Sequence, residues 1–312
     1  GVNIARRTEY VGVFRVVNRS KKLTYYFIDN EYYFYRDGIY GYYDDAERFA
    51  FFSRAILEII PHIDFKPDII HCNDWQTALT PLYYSTIYAT QPGYENIKTV
   101  FTIHNIQYQG VYGKELIDNV IGLDYSHKNL IEYDDTVNFS KAAIECANAV
   151  STVSPSYAKE ILDPWYSHGL DTILKERSFK LRGILNGIDV ENYNPETDKD
   201  IFKNYSAEKM TGKATNKREL QKFFGLPEKK DTPVMGMVSR LVSHKGLDLC
   251  KAVLDELLAT TDIQLVVLGS GDTEYEDFFR GLAARFPEQV GLCLGFIPDL
   301  ARKIYAGSDL FL

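Results

Sequence analysis

An α/β fold with parallel sheets, arranged as two domains, is what this sequence predicts, and three observations predict it. Short, continuous apolar runs recur along the chain, the pattern of strands buried on both faces. Segments with helical spacing separate most of these runs, as βα alternation requires. The length, 312 residues, suits two domains at roughly 150 residues each and is enough to bury about three quarters of the unfolded surface without a disulfide or metal staple.

The first elements are antiparallel. Val11, Val13 and Phe14-Arg15-Val16 read as a strand, Asn18-Arg19-Ser20-Lys21 as a turn, and Leu23 to Ile28 as the partner strand. Eight of the 23 tyrosines fall between Tyr25 and Tyr43. They are read as rings packed beneath a hairpin; a sugar-stacking surface is the other reading, because tyrosine offers a flat apolar face and a hydroxyl. From Asp44 to Ile60 the period changes, with Phe49, Phe52, Ala55, Ile56 and Ile59 at helical spacing behind two acids suited to a helix start.

Strands are then expected at 68–72, 98–103, 149–154, 181–185, 234–238, 264–268, 291–294 and 309–312, with helices at 138–148, 155–162, 245–258 and 274–286. Residues 192–231 hold Asn194-Pro195-Glu196-Thr197-Asp198, a lysine-rich stretch and Gly225-Leu226-Pro227. Few buried strands can be drawn there, so this region is expected to connect a domain at 1–191 to the first part of another at 232–312. The last residues, Asp309-Leu310-Phe311-Leu312, read as the middle of a strand, and the sequence is expected to be a piece of a longer protein.

Composition narrows the function. With Lys+Arg 35 against Asp+Glu 43, the formal net charge is −8, which argues against general nucleic-acid binding. No run approaches the ~18 apolar residues of a membrane span, and the first residues lack the apolar core of a signal peptide. The four cysteines form no Cys-x-x-Cys pair and the six histidines no His-Glu-x-x-His, so no metal site is expected; single scattered cysteines fit a reducing cytoplasm. The sequence sets no oligomeric state.

Ligands of open parallel sheets bind beyond the carboxyl ends of the strands, which makes the polar residues at those ends the candidates. One strand runs into His71-Cys72-Asn73-Asp74-Trp75-Gln76, another into His104-Asn105-Ile106-Gln107-Tyr108-Gln109-Gly110, a third into Asn186-Gly187-Ile188-Asp189, and a fourth into Ser239-Arg240-Leu241 and His244-Lys245-Gly246. Arg240 and Lys245, in one strand-to-helix loop, suit a pyrophosphate or form a solvated basic turn. Asp74 and His104 suit acid/base work or serve as a cap and a satisfied polar residue. Gly269-Ser270-Gly271-Asp272 resembles a dinucleotide fingerprint, but Glu274 stands where the third glycine is needed, so a dehydrogenase is rejected.

Taken in order, His71–Leu79, Phe101-Thr102-Ile103-His104-Asn105 with Tyr108-Gln109-Gly110, Gly183–Asp189 with Asn194–Asp198, Ser239-Arg240-Leu241 with Lys245-Gly246-Leu247-Asp248, and Tyr40–Ala50 resemble bacterial glycogen synthase and plant starch synthase over nearly the whole chain. The resemblance implies a GT-B fold, two Rossmann-like domains with parallel sheets around a central cleft. It implies retaining transfer of glucose from ADP-glucose to the non-reducing end of an α-1,4-glucan, with no cofactor and no metal.

Residue by residue, it implies that Arg240 and Lys245 hold the diphosphate and stabilise the leaving ADP, that His104 and Asn105 meet the transferred glucose, that Asp74 and Trp75 line the sugar side, that Asn186 contacts the donor, and that Gly295-Phe296 sits by the nucleobase, with Phe where Tyr is usual. The family's Lys-Thr-Gly-Gly loop is absent, and its Glu-x-x-Gly segment would lie beyond Leu312, so the piece itself is expected to be inactive if it stands alone. Two alternatives remain at this point: another retaining GT-B transferase that uses UDP-glucose, and a catalytically inactive glucan-binding module.

Overall fold

The computed structural model describes residues 1–312, which divide into two compact units, Gly1–Asn186 and Gly187–Leu312. In the first unit a four-stranded sheet has the order Leu181–Gly183, Ala149–Thr152, Lys98–Ile103, Ile69–Asn73, every pair parallel. The helix Asp45–Glu58 packs on Leu79–Tyr83, which packs in turn on Phe139–Cys146. Phe51, Leu79, Leu82, Tyr83, Phe101 and Phe139 are fully buried among them.

The second unit is also built on a four-stranded parallel sheet, with a different strand order. Its sheet runs Val290–Leu294, Gln264–Gly269, Val234–Val238, Leu310–Phe311, again parallel throughout. The period of two along each strand divides its side chains between two cores. Met235, Met237, Leu265 and Val267 face the helices Leu247–Thr260 and Thr273–Arg285, while Val234, Val266 and Leu268 face Thr211–Phe223 and Pro298–Gly307. Continuous apolar strands are what a sheet covered on both faces demands.

Three differences from the sequence reading have physical causes. Residues 192–231 do not stand between two units: the division falls at 186/187, and within that stretch the helix Thr211–Phe223 packs on Pro298–Gly307 and covers one face of the second sheet. Its buried face carries Gly212, Asn216, Leu220 and Gln221, so polar residues occupy the positions where a periodicity search looks for apolar ones. Asn216 accepts from Phe202 N–H and donates to Gly212 O, and Gln221 donates to Gln264 Oε1 at 2.7 Å, which satisfies the buried amides. Asp198 in the same stretch pairs with Arg302 at 2.9 Å, tying the Asn194–Asp198 motif to the helix Pro298–Gly307.

The hairpin forms with Gly12–Asn18 against Leu23–Asp29, Phe14 opposite Phe27, but it pairs with no other strand. It therefore offers little space beneath it, and the packing account of the tyrosines fails for most of them. Tyr33 is buried, whereas Tyr25, Tyr32, Tyr35, Tyr40 and Tyr43 are exposed, Tyr43 at 93%. Finally, Leu310–Phe311 pairs with one neighbour at an edge of its sheet and leaves both side chains about half exposed, where a buried strand was expected.

Candidate active site

In the first unit the strand Ile69–Asn73 ends in an unusual bend. Asp74 has φ 58° and ψ 178°, a region that costs a non-glycine residue on the order of 1–3 kcal/mol. The surroundings fix it there: Asp74 N–H donates to Thr102 O at 3.0 Å, and its Oδ1 accepts from His104 N–H at 2.9 Å. The carboxylate thus ties the ends of two neighbouring strands together. The His104 ring is exposed, with Nε2 at 2.9 Å from Asn73 Oδ1. Asn105 Oδ1 accepts from Gln107 N–H, which shapes the turn that follows. Asp74 and His104, both candidates, are brought together.

Trp75 is not at a ligand surface. It is only 9% exposed, edge-on to Phe49 at 4.9 Å and close to Tyr112 and Phe139. A large apolar ring following the strained Asp74 turns inward and anchors the bend in the core. Gly110 is shaped by the same ring: it has φ +68°, and a Cβ there would meet Trp75 Cε3 at 2.8 Å. Asn186 is exposed at the end of this unit, after the strand Leu181–Gly183.

In the second unit the strand Val234–Val238 runs into Ser239-Arg240, and the loop closes through a short turn, Ser243–Lys245, onto Gly246 at φ 71°, where the helix Leu247–Thr260 starts. Both cations are exposed. His244 sits beside Arg240, at 3.4 Å. Burial first, then the charges of Arg240 and Lys245, hold its imidazole below the ordinary histidine range. A cavity of about 460 Å3 lies here, lined by Arg240, Ser270, Gly295, Phe296 and Pro298 among others, within the usual size range for small-molecule sites. Phe296 is 89% exposed beside it.

The Gly269-Ser270-Gly271 turn owes its glycines to backbone contact. A Cβ at Gly269 would collide with Ser239 O, and one at Gly271 with Leu241 O. Leu241 N–H donates to Ser270 O, and Asp272 N–H to Leu241 O, so the two strand-end loops are bonded side by side as one wall. Ser239 stood among the strand-end candidates and Ser270 within the glycine turn, neither with an assigned role, and the Asn73 contact to the His104 ring was not foreseen; the adjacency of strand ends in a parallel sheet was the available signal. No group of three or more His, Cys, Asp or Glu is placed to hold a metal ion, and no helix is long and apolar enough to cross a membrane.

The family model for the starch synthase catalytic domain matches residues 1–176. Glycogen synthase of Bacillus cereus is 47% identical over 313 aligned positions, and that of Desulforamulus reducens 49%. Each alignment covers 100% of this chain and 65% of the relative, so the chain spans about two thirds of the length of the curated relatives it matches. Among solved structures, the catalytic domain of starch synthase IV from Arabidopsis thaliana, bound to ADP and acarbose, superimposes with a TM-score of 0.90 at 34% identity, covering 99% of this chain and 64% of that one. The fold shared with that structure is GT-B.

Proposed function

Because the chain belongs to the starch synthase catalytic-domain family, we propose that its parent protein transfers glucose from ADP-glucose to the non-reducing end of an α-1,4-glucan, with retention of configuration. The observation that carries this reading is the Arg240–Lys245 loop beside the 460 Å3 cavity. Two exposed cations in one strand-to-helix loop, of which Arg240 lines the cavity, suit a nucleoside diphosphate, and they act most strongly as charge develops on the departing ADP. Phe296 and Gly295 take the base side, with ring stacking but without a hydroxyl contact. Asn186 contributes to donor binding.

On the first unit, His104 and Asn105 meet the transferred glucose. Asp74 serves this site by holding the His104 backbone, and Trp75 serves it from the core. The proposed chemistry draws its positive charge from Arg240 and Lys245 and uses no cofactor. We place the protein in the bacterial cytoplasm; its four free cysteines and its bacterial relatives support that location, and cell fractionation tests it.

Incorporation of radiolabelled glucose into glycogen by the full-length protein tests the activity, with ADP-glucose and UDP-glucose as rival donors. Preferential use of UDP-glucose would overturn the assignment. One observation favours glucan binding independently of catalysis. Tyr35, Tyr40 and Tyr43 are exposed on a loop whose Tyr42 ring is contacted by the guanidiniums of Arg36 and Arg48, at 5.0 and 4.9 Å from its centre. Arg36 also pairs with Asp44 at 2.8 Å. Exposed rings on one loop suit stacking against a polysaccharide. Glycogen binding without ADP binding would favour the inactive-module reading.

A further inference from the structure

The bend after Ile69–Asn73 grips His104 at two points, and only one of them acts on its backbone. Asp74 Oδ1 takes the His104 N–H. Asn73 Oδ1 lies 2.9 Å from the ring nitrogen Nε2, and an amide oxygen can only accept, so Nε2 carries the proton in this pair. Asn73 is itself fixed. Its N–H donates to Thr77 Oγ1 at 2.7 Å, and the same hydroxyl donates back to Asn73 O at 2.9 Å. Its register opposite Thr102 in the parallel sheet places it beside the residue that follows the strand Lys98–Ile103. The amide therefore reaches the ring from a main chain clamped on both sides.

We propose that Asn73 is a positioning residue that holds His104 in its Nε2–H tautomer. The other ring nitrogen, Nδ1, is then left with a lone pair and acts as a hydrogen-bond acceptor for a hydroxyl of the bound sugar. The tautomer of a histidine is set by the bond its other nitrogen makes, so an acceptor at Nε2 decides what the free side of the ring can do. The proposal rests on the reading of His104 as the contact to the transferred glucose. The grip itself is a property of the protein without ligand and can be tested separately.

The test uses the full chain labelled with 15N-histidine. Long-range proton–nitrogen correlation spectra report which ring nitrogen of His104 carries the proton. The wild type is expected to show Nε2–H. Asn73→Leu removes the acceptor and is expected to give a mixture of tautomers, and Asn73→Asp restores an acceptor and with it Nε2–H. The His62 and His71 signals report whether each variant is folded; should Asn73→Leu fail to fold, Asn73→Ala takes its place, because the Thr77 clamp uses only the main chain of residue 73. A wild-type Nδ1–H tautomer, or a tautomer unchanged when the acceptor is removed, overturns the proposal. In the full-length protein the Leu variant is expected to lose kcat by about 10- to 100-fold, the scale of a misplaced contact, with recovery in the Asp variant. A shifted tautomer with unchanged kcat would leave the positioning role standing and sink the reading of His104 as a sugar contact.

Discussion

Replacing Gly110 with alanine tests how the core around Trp75 holds the His104 loop. Two costs can be worked out. Gly110 has φ +68°, where an L-residue pays roughly 1–2 kcal/mol. The new Cβ would lie 2.8 Å from Trp75 Cε3 and 3.1 Å from Phe139 Cβ, whereas ordinary contact begins at 3.4 Å. Trp75 must therefore give way by 3.4 − 2.8 = 0.6 Å inside a cluster where Phe49, Tyr112 and Phe139 already touch it. Overpacking of that kind costs about 1–3 kcal/mol.

The sum is about 2–5 kcal/mol. For a unit of this size each kcal/mol lowers Tm by about 2–4 °C, so a fall of roughly 4–20 °C is expected. Calorimetric unfolding measures it. Gly93→Ala separates the two parts, because Gly93 has φ +94° but a Cβ there meets nothing within 4 Å; it should carry only the conformational cost. Equal destabilisation by the two variants would refute the packing argument, and a Gly110→Ala protein with wild-type stability would refute both parts.

In the full-length protein, Lys245→Ala is expected to reduce kcat/KM for the proposed transfer by a factor corresponding to roughly 2–4 kcal/mol, the loss of one charge-stabilising donor; steady-state kinetics with an unchanged value would make the loop a solvated basic turn. Neutralising Arg240 with Arg240→Gln, or adding ADP, should raise the depressed His244 pKa, since either change makes the local potential less positive. Because burial is the largest cause, part of the depression should persist in Arg240→Gln. The sign for stability follows: a histidine depressed in the folded state destabilises it as pH falls below the unfolded histidine value, and Arg240→Gln should shrink that loss. Histidine NMR titration reads the shift, and a His244 pKa indifferent to ADP would place the anion elsewhere. Tyr43→Ala should weaken glycogen affinity in gel-mobility assays while leaving Tm unchanged; lost stability with intact affinity would return this ring to a packing role.

What was legible in the sequence follows from which residues carried the signal. The strands Lys98–Ile103 and Val234–Val238 could be bounded from apolar runs because both faces of each are covered. The βα loops were legible as polar strand ends, which is why Asp74, His104, Arg240 and Lys245 could be named as candidates. The helix Thr211–Phe223 was not, because Asn216 and Gln221 bury amides where apolar side chains were sought. Trp75, which the resemblance placed on the sugar side, is turned into the core after the positive φ of Asp74, and a motif does not display that backbone conformation. The tyrosine cluster was misread in the opposite direction: composition suggested a core, but a hairpin with no neighbouring strand has none to offer. Asn73 lay within a motif that was read, yet its bond to His104 depends on the register between two strands 31 residues apart at that point, which no local pattern displays.

Isothermal titration of ADP and UDP into the wild-type chain and into the Arg240→Ala/Lys245→Ala double variant tests the proposed binding of an adenine nucleotide's diphosphate by the Arg240–Lys245 loop. ADP is expected to bind more tightly than UDP, and the double variant to lose most of that affinity while keeping its fold. Tighter binding of UDP, or ADP affinity untouched by removal of both cations, would contradict the proposal.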